Sequence, residues 1–369
     1  MRLLVCAGMT GGGVYPALAV LQALKDKTED VLWIGSKSGM EATLLKSYDL
    51  RYKSVSAAGL HGVGLRVLPG NLIRLFKGWR EAKAIISGFN PDVMFFTGGY
   101  LGVPVAFAGR GIPSVVFLPD IEPGLALKTI IRYAECVAVS VPAADQYIRH
   151  PLIKLTGYPV RKELTRWSRA QGRRHFGIGK NEKVLLVFGG SQGARSINQA
   201  LSRSLKKLLV NIHVIHITGK DHWKDARKIL DSLNMGEKSR YHAFPFLHDE
   251  MGAAFTAADL VLCRAGASTL GELPFFGLPA ILVPYPHAWR YQHQNAEYLQ
   301  NNGGAVILED QDLDSMLLPT INEIMNDTGR LKIMRSAMNS LSKPDAAEKI
   351  AELIIKTGKT NRTEEALNG

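Results

Sequence analysis

The stretch from residue 258 to residue 296 constrains the fold more than any other part of the sequence. It opens with an apolar run, Leu260–Cys263, which is typical of a buried parallel strand. A turn of small residues leads into a predicted helix over 270–276, and a second apolar strand follows at 280–283. Strand, turn, helix and strand form a βαβ unit, and such units bind ligands beyond the carboxyl ends of their strands.

Glu272 lies in the first or second turn of this predicted helix. A carboxylate there is placed to accept hydrogen bonds from the two hydroxyls of a ribose, and backbone N–H groups at a helix N-terminus favour an anion. The alternative is a plain α/β unit in which Glu272 only stabilises the helix N-terminus through its charge. These residues alone do not decide between the two interpretations.

The same alternation of short apolar strands with helices runs through both halves of the chain. Glycine-rich turns follow predicted strands at 8–13, 98–100 and 189–193. This alternation predicts an α/β fold with doubly wound parallel sheets, and 369 residues are enough for two such domains. A predicted hinge at 157–161 separates them, and clefts between domains are favoured ligand sites.

Composition narrows the classes of partner. The formal net charge is +12, which suits anionic lipid or a phosphate-bearing substrate. No zinc spacing or RNA-binding motif is visible, so the sequence predicts no nucleic-acid partner. No apolar run reaches the length of a bilayer span, and the N-terminus does not resemble a signal peptide, so we expect a cytosolic or peripheral protein. Cys6, Cys136 and Cys263 lie far apart and predict buried thiols rather than a disulfide or a metal site.

The glycine turns do not fit the common cofactor motifs. None matches G-x-G-x-x-G with a suitable acid downstream, and no G-x-x-x-x-G-K-[ST] sequence occurs. A nicotinamide, flavin or P-loop nucleotide site is therefore not favoured. No Asp-x-Asp metal clamp appears where one would be expected, so the sequence predicts neither a cofactor nor a metal.

A set of short motifs carries a family resemblance over nearly the whole chain. In order they are Thr10-Gly11-Gly12, Pro91-Asp92-Val93, Gly98-Gly99-Tyr100, Pro123-Gly124, Gly157-x-Pro159-Val160-Arg161, Gly189-Gly190-Ser191-Gln192-Gly193-Ala194-Arg195, Cys263-Arg264-Ala265-Gly266-Ala267 with Glu272, Gln292 with Asn295-Ala296, and Pro344-Asp345-Ala346-Ala347. Together they resemble the MurG family of glycosyltransferases.

This resemblance implies a fold and an activity. The fold is GT-B, with two Rossmann-like doubly wound domains facing across a cleft. The activity is inverting transfer of GlcNAc from UDP-GlcNAc to the muramoyl sugar of lipid I, a lipid-diphosphate-linked muramoyl-pentapeptide. The product is lipid II, which implies a part in peptidoglycan synthesis, cell-wall biogenesis, cell shape and cell division. The expected location is peripheral, on the cytoplasmic face of the cell membrane.

The resemblance also implies a division of labour along the chain. Residues 1–160 would form an N-terminal domain for the acceptor and for docking on an anionic membrane surface. Residues 161–342 would form the C-terminal UDP-GlcNAc-binding domain, and residues 343–369 a C-terminal helix with a polar tail. Within the second domain, Glu272 would take the ribose hydroxyls and Gln292 the sugar hydroxyls.

Further substrate-binding residues follow from the matched motifs. Arg161 would pair with phosphate or brace the donor, and Leu247 would present backbone groups to uracil. The remaining expected contacts with substrate are Thr10, Gly11, Gly12, Asp120, Ser191, Gln192, Gly193, Met251, Ala267, Ser268, Thr269, Leu270 and Gly271.

The first half departs from the family where a catalytic base would be expected. Gly13 stands where the family usually has His, and glycine cannot transfer a proton. Asp120 replaces a usual Asn and is the first candidate base; Glu122 and His61 are the others. For Glu122 the alternative is a surface charge, and for His61 a solvated loop side chain.

A predicted helix over 68–87 mixes apolar with basic residues. It is either an ordinary helix that packs one face or an edge that docks on anionic lipid. The departures in the first half also leave two other functions open. One is a UDP-sugar transferase with a different lipid-linked acceptor, and the other is a non-catalytic UDP-sugar-binding homologue.

Overall fold

The chain folds into two compact α/β units. The computed structural model describes residues 1–8, 11–37, 39, 41–42, 45–59, 68–190, 192–288 and 290–368, without the side chains of 46–47, 68 and 360–368. Unit 1 comprises Met1–Val160 together with Pro344–Gly369, and unit 2 comprises Arg161–Lys343.

Unit 1 is built on a parallel sheet. In the described part of the chain this sheet has seven strands in the order β3-β2-β1-β4-β5-β6-β7. Its strands are β1 Arg2–Cys6, β2 Asp30–Gly35, β3 Arg51–Ser54, β4 Val93–Phe96, β5 Ser114–Leu118, β6 Cys136–Val139 and β7 Ile153–Leu155. Leu3 on β1 lies opposite Val31 on one side and Val93 on the other, which sets the parallel register.

Helices cover the sheet of unit 1. They are α1 Gly11–Ala23, α2 Leu68–Phe89, α3 Gly102–Ala108, α4 Leu125–Ile131 and α14 Ala346–Asn368. The last helix returns from the end of the chain to pack on α1, β4 and β5. Its buried stripe of Ala347, Ile350, Ala351 and Ile354 has helical spacing. The helix continues to Asn368, so the stretch from Gly358 that the sequence predicts as a polar tail is helical.

Unit 2 repeats this architecture. Among its described residues the sheet has six strands in the order β10-β9-β8-β11-β12-β13. Its strands are β8 Lys183–Phe188, β9 Ile212–Ile217, β10 Tyr241–Phe244, β11 Leu260–Cys263, β12 Ala280–Leu282 and β13 Ala305–Ile307. Its helices are α5 Arg169–His175, α6 Arg195–Leu208, α7 Trp223–Ser232, α8 Met235–Lys238, α9 Met251–Ala257, α10 Thr269–Phe276, α11 Tyr291–Asn301, α12 Leu313–Asn326 and α13 Thr328–Leu341.

The central strands explain why the fold class can be predicted from the sequence. Residues 184–187 on β8 and 260–263 on β11 are fully buried, because helices cover both faces of the sheet. In each unit the first strand pairs with the second on one side and with the fourth on the other. The strand order therefore reverses at β1/β4 and at β8/β11. The predicted α/β fold with two Rossmann-like doubly wound sheets is confirmed.

Two local predictions are wrong. The polar, basic sequence of 162–176 predicts a helix, but the helix begins only at Arg169. Ser168 and Gln171 form a capping box there, in which the Gln171 Oε1 accepts from the Ser168 N–H at 2.9 Å. After the strand at 280–283, Pro284 predicts the start of a loop that extends to Gln292 and Asn295, but both of these residues lie on α11.

Some predictions about the whole chain can also be compared with the structure. The three cysteines are buried free thiols, as predicted. No helix in the described ranges has both the length and the apolar character that crossing a bilayer requires.

Candidate functional site

The carboxyl edge of the unit 2 sheet collects nearly all the predicted donor-site residues. Gln192 and Gly193 follow β8, Leu247 and Met251 follow β10, and 267–272 follow β11. Gln292 lies at the start of α11, after β12. Since strand order reverses at β8/β11, this edge carries the crevice where open α/β sheets bind ligands.

The glycine turn after β8 fits only glycine. Gly193 has φ +82°, and a Cβ there would lie 2.1 Å from the carbonyl oxygen of Thr218. Gly219, after β9, also has φ +82°, and its Cβ would lie 2.4 Å from the carbonyl oxygen of Gln192. The two loops therefore touch backbone to backbone, which a side chain would prevent. Ser191, in the same turn, lies outside the described residues, as do Thr10 and His61.

A buried polar network supports these loops from below. The Asn198 side-chain amide donates to the Thr218 carbonyl at 2.8 Å, which leaves its Oδ1 to accept from His216 Nε2 at 3.0 Å. The other ring nitrogen, Nδ1, accepts a hydrogen bond from the Tyr241 hydroxyl at 2.9 Å. Burial lowers the pKa of His216 to about 3, so the ring is neutral and has one donor and one acceptor, as the network requires.

Arg264 ties together the loops that follow β11, β12 and β13. It forms an ion pair with Asp310, and its Nη2 donates to the Ser196 Oγ at 2.8 Å. Its Nη1 lies 3.3 Å from the carbonyl oxygens of both Val283 and Pro284. No role for Arg264 was predicted from the sequence, although an arginine directly after a buried strand is a visible signal of a functional or structural contact.

Two amide side chains on α11 hold neighbouring loops. Asn295 is fully buried, and its Nδ2 donates to the Ala265 carbonyl at 3.1 Å. Gln292 accepts a hydrogen bond from the Tyr285 N–H at 2.9 Å through its Oε1. The amide oxygen of Gln292 therefore serves the protein, and its NH₂ group is the part suited to donate to a sugar hydroxyl.

The first turn of α10 is tightly closed. The N–H groups of Thr269, Leu270 and Gly271 donate to the carbonyls three residues earlier, at 3.0, 3.1 and 3.1 Å. Because these three amide groups are already hydrogen-bonded within the turn, an anion here would first meet the two preceding residues, Ala267 and Ser268.

Glu272 combines partial burial with a cationic neighbour. Burial raises the pKa of its carboxyl above the ordinary value, while the Arg161 guanidinium and a hydrogen bond with Ser268 act in the opposite direction. A carboxylate that water solvates poorly gains more from accepting ligand hydroxyls than an exposed one does. This environment suits a ribose-binding carboxylate.

In unit 1 the corresponding edge is formed by the residues after β1 and β4. Thr97 Oγ1 donates to the Gly13 carbonyl at 2.7 Å and so joins the two turns. Gly98 and Gly99 have φ +125° and +86°, which side chains rarely adopt. Gly11 and Gly12 are partly exposed at the start of α1.

Comparison with known proteins places the chain among the glycosyltransferases. The family 28 N-terminal domain matches residues 3–139, and the family 28 C-terminal domain matches residues 184–350. A transferase from Desulforudis audaxviator is 37% identical, covering 98% of this chain and 100% of that protein. Its full name is UDP-N-acetylglucosamine–N-acetylmuramyl-(pentapeptide) pyrophosphoryl-undecaprenol N-acetylglucosamine transferase. The chain belongs to the MurG family.

Other relatives agree with this assignment. The protein of the same name from Halothermothrix orenii is 33% identical over 97% of this chain and its own full length. The crystal structure of Acinetobacter baumannii MurG superposes with a TM-score of 0.76 at 25% identity, covering 96% of this chain and 99% of that one. The chain is therefore a glycosyltransferase with the GT-B fold.

Against this family, position 13 stands out. The residue is glycine, and a Cβ there would lie 3.3 Å from Thr97 Oγ1, so a side chain would crowd the bond that joins the two turns. Tyr158, the variable position of the Gly157-x-Pro159 motif, is buried and packs edge-on against Phe117 with the ring centroids 5.9 Å apart. The family usually has Asn at this position.

The candidate bases differ in their surroundings. Asp120 is partly buried and follows β5 at the carboxyl edge of the unit 1 sheet. Glu122 is only 4% exposed and lies 3.0 Å from the Lys128 Nζ, so the alternative interpretation of Glu122 as a surface charge is wrong. Across the described residues, no three His, Cys, Asp or Glu side chains are grouped so that they could hold a metal ion.

Proposed function

We propose that this protein moves GlcNAc from UDP-GlcNAc to the muramoyl sugar of lipid I, with inversion, and so makes lipid II for peptidoglycan synthesis. The observation that carries the proposal is the convergence of the predicted donor residues on one edge of the unit 2 sheet, at the reversal of strand order. The names of full-length relatives support the choice of donor and acceptor.

Donor binding would use the groups described above in distinct roles. The Glu272 carboxylate accepts from the ribose hydroxyls, the Gln292 NH₂ donates to a sugar hydroxyl, and Leu247 offers backbone groups to uracil. Arg161 and the glycine turn around Gly193 meet the diphosphate. As the bond from the sugar to UDP breaks, Arg161 and the N–H groups of this turn stabilise the negative charge that develops on the departing diphosphate.

The acceptor hydroxyl attacks the sugar carbon and loses its proton to a base. We propose Asp120 for this role. It follows β5 at the carboxyl edge of unit 1, the edge that also carries the Gly98-Gly99 turn. The Glu122 carboxylate is already paired with Lys128, which makes it the weaker candidate.

One face of α2 is held against the rest of unit 1. The Asn71 Nδ2 donates to the Gly59 carbonyl at 2.7 Å, and Glu81 accepts from the Ser56 N–H at 2.6 Å. At Gly78 the helix approaches the Ser56 carbonyl so closely that a Cβ would lie 1.8 Å away. These contacts hold one face of α2 against the unit and leave the other outward.

The outward face of α2 is apolar and basic. Leu72, Ile73 and Phe76 are 55%, 69% and 60% exposed. Exposed basic side chains on the same helix are Arg74, Lys77, Arg80 and Lys83. Beside them lies a cavity of about 370 Å³, lined by Trp79, Phe107 and other apolar side chains of α2, α3 and α4. An apolar patch rimmed by cations is typical of a surface that docks on anionic lipid.

We therefore propose peripheral attachment to the cytoplasmic face of the cell membrane through α2. Each basic residue near an anionic surface contributes about 1 kcal/mol. Replacing Arg74, Lys77 and Arg80 with Glu should abolish co-sedimentation with vesicles that contain phosphatidylglycerol and leave UDP binding unchanged.

A matched control for this test lies on α7 of unit 2. Lys224, Arg227 and Lys228 are exposed there, and their replacement with Glu makes the same change in net charge. The control should bind vesicles nearly as the parent does. Equal vesicle binding by the α2 variant and the parent would mean that another surface docks.

Because Gly13 replaces the usual family His, two alternative functions also need a test. One is transfer to a different lipid-linked acceptor, and the other is binding of the UDP-sugar without catalysis. Purified protein should transfer radiolabelled GlcNAc to lipid I in detergent. Transfer to another lipid-diphosphate sugar but not to lipid I would favour the first alternative, and donor binding without any transfer would favour the second.

A further inference from the structure

A polar cavity lies in unit 2, at the edge of the sheet opposite the loops that we assign to the UDP-sugar donor. It has a volume of about 350 Å³. The residues that line it are Arg169, Asp259, Thr328, Leu331, Lys332 and Arg335. Asp259 directly precedes β11 and accepts from the N–H of Val184, the second residue of β8. The cavity is therefore at the amino ends of the two central strands.

The acid in this cavity is already neutralised. One carboxylate oxygen of Asp259 pairs with Arg169, and the other lies 3.0 Å from Arg173 Nη2 and 2.9 Å from the Val184 amide. Arg173 is 4% exposed and also donates to three backbone carbonyls between 179 and 182. Two guanidinium groups thus share one carboxylate.

Two more cations enter the cavity from α13. Among the described residues, neither the Lys332 nor the Arg335 side chain forms a hydrogen bond or an ion pair. Arg335 is partly buried, and burial together with the nearby Arg169 lowers the pKa of its guanidinium, although Asp259 opposes this. A partly buried cation facing other cations is unfavourable unless an anion compensates it.

Acids close to the start of α13 are engaged elsewhere. Asp327 caps the helix by accepting from the Arg330 N–H at 2.9 Å. Glu323 forms an ion pair with the Arg330 side chain. Neither acid compensates Arg335, and the nearby Asp259 is already shared by Arg169 and Arg173.

We propose that this cavity is a second anion-binding site and that its ligand carries a phosphate or diphosphate group. Arginine forks bind phosphate oxygens in pairs, and the N-terminus of α13 at Thr328 adds the positive end of a helix dipole. The volume corresponds to about ten water molecules, which is room for a diphosphate or a lipid headgroup. Because the donor loops lie at the other edge of the sheet, this ligand does not compete with UDP.

The test uses inorganic pyrophosphate as the probe, in the presence of saturating UDP so that the donor site is occupied. Calorimetry should show one further equivalent of pyrophosphate bound by the parent protein. The double variant Lys332→Gln/Arg335→Gln should bind it at least about tenfold more weakly, since hydrogen bonds to charged groups are lost. The single variant Lys332→Gln changes only an exposed side chain, so its fold should be that of the parent. It should weaken pyrophosphate binding several-fold.

The matched control is Lys224→Gln/Arg227→Gln, which removes one lysine and one arginine from the exposed face of α7. It should bind pyrophosphate as the parent does. If the parent binds no pyrophosphate under saturating UDP, or if the pocket and control variants bind it equally, the proposal is wrong.

Vesicles distinguish the two sources of such a ligand. If the ligand is a lipid headgroup, pyrophosphate should displace protein from phosphatidylglycerol vesicles, and the double variant should sediment less with them. If the ligand is a free phosphate-bearing molecule, the double variant should keep its vesicle binding and lose only pyrophosphate. Either result supports the site and names its ligand class.

Discussion

Replacing Glu272 with Gln should change stability and donor affinity in opposite directions. In the protein without ligand, burial raises the pKa of Glu272 above its value in the unfolded chain. The stability from this group is present below its unfolded pKa and is lost as the pH rises through the folded pKa. This contribution is therefore reduced as the pH rises towards neutrality, and Glu272→Gln should raise the melting temperature at pH 7 but not at pH 4.

Donor affinity should fall in the same variant. Gln keeps the size of the side chain but loses the charge that strengthens hydrogen bonds with ribose hydroxyls. A hydrogen bond to a charged group contributes about 1.5–3 kcal/mol, so UDP affinity should fall roughly 10- to 100-fold. Titration calorimetry with UDP measures this loss, and thermal unfolding from pH 4 to 8 measures the gain in stability.

The control for both measurements is Glu297→Gln, on an exposed position of α11 in the same unit. It should change neither the UDP affinity nor the pH dependence of unfolding. A folded Glu272→Gln variant that binds UDP within twofold of the parent would refute the ribose assignment. A variant that loses affinity and also loses stability at pH 7 would refute the account of its burial.

Three further predictions concern other parts of the protein. Gly193→Ala should destabilise the fold by about 1–2 kcal/mol from backbone strain alone and should weaken UDP binding. Gly236→Ala, where the nearest atom to the new Cβ is 3.5 Å away, should do neither. Denaturant unfolding and calorimetry measure the two effects, and normal UDP binding by Gly193→Ala would contradict the prediction. Because the His216 pKa is about 3 in the fold, the stability from its neutral ring is present above pH 6.5 and falls by about 2 kcal/mol between pH 6.5 and 4.5. Denaturant unfolding of His216→Gln should lack this component, and parallel pH curves for parent and variant would exclude it. Asp120→Asn should slow transfer by about 10²–10⁴-fold with unchanged UDP affinity, and turnover within a few-fold of the parent would end the claim for Asp120.

Much of the fold follows from the sequence for a simple physical reason. Parallel strands with both faces covered are continuous apolar runs, such as those on β8 and β11, and glycine turns mark their ends. Helix α11 was missed because its sequence, YQHQNAEYLQN, is mostly polar and begins without a side-chain cap. Only three of its residues are buried, so the apolar periodicity that predicts a helix is too weak.

The candidate site was predictable where backbone geometry dictates the residue. Gly193 and Gly219 have to be glycine because the backbones of the loops after β8 and β9 touch. Such a requirement is visible in the sequence as a glycine-containing turn after a strand. Arg264 was missed because its partners, Ser196 and Asp310, are distant in sequence and meet it only in the folded sheet. The base was not predictable from position 13, since glycine offers no chemistry there.

We propose that the donor binds at the carboxyl edge of the unit 2 sheet, with the Glu272 carboxylate on its ribose. A crystal structure of the protein with UDP is the decisive measurement. We expect ribose hydroxyls within about 2.5–3.0 Å of the Glu272 carboxylate. We also expect the diphosphate beside the glycine turn that contains Gly193. A nucleotide bound away from both the turn after β8 and the turn after β11 would refute this proposal.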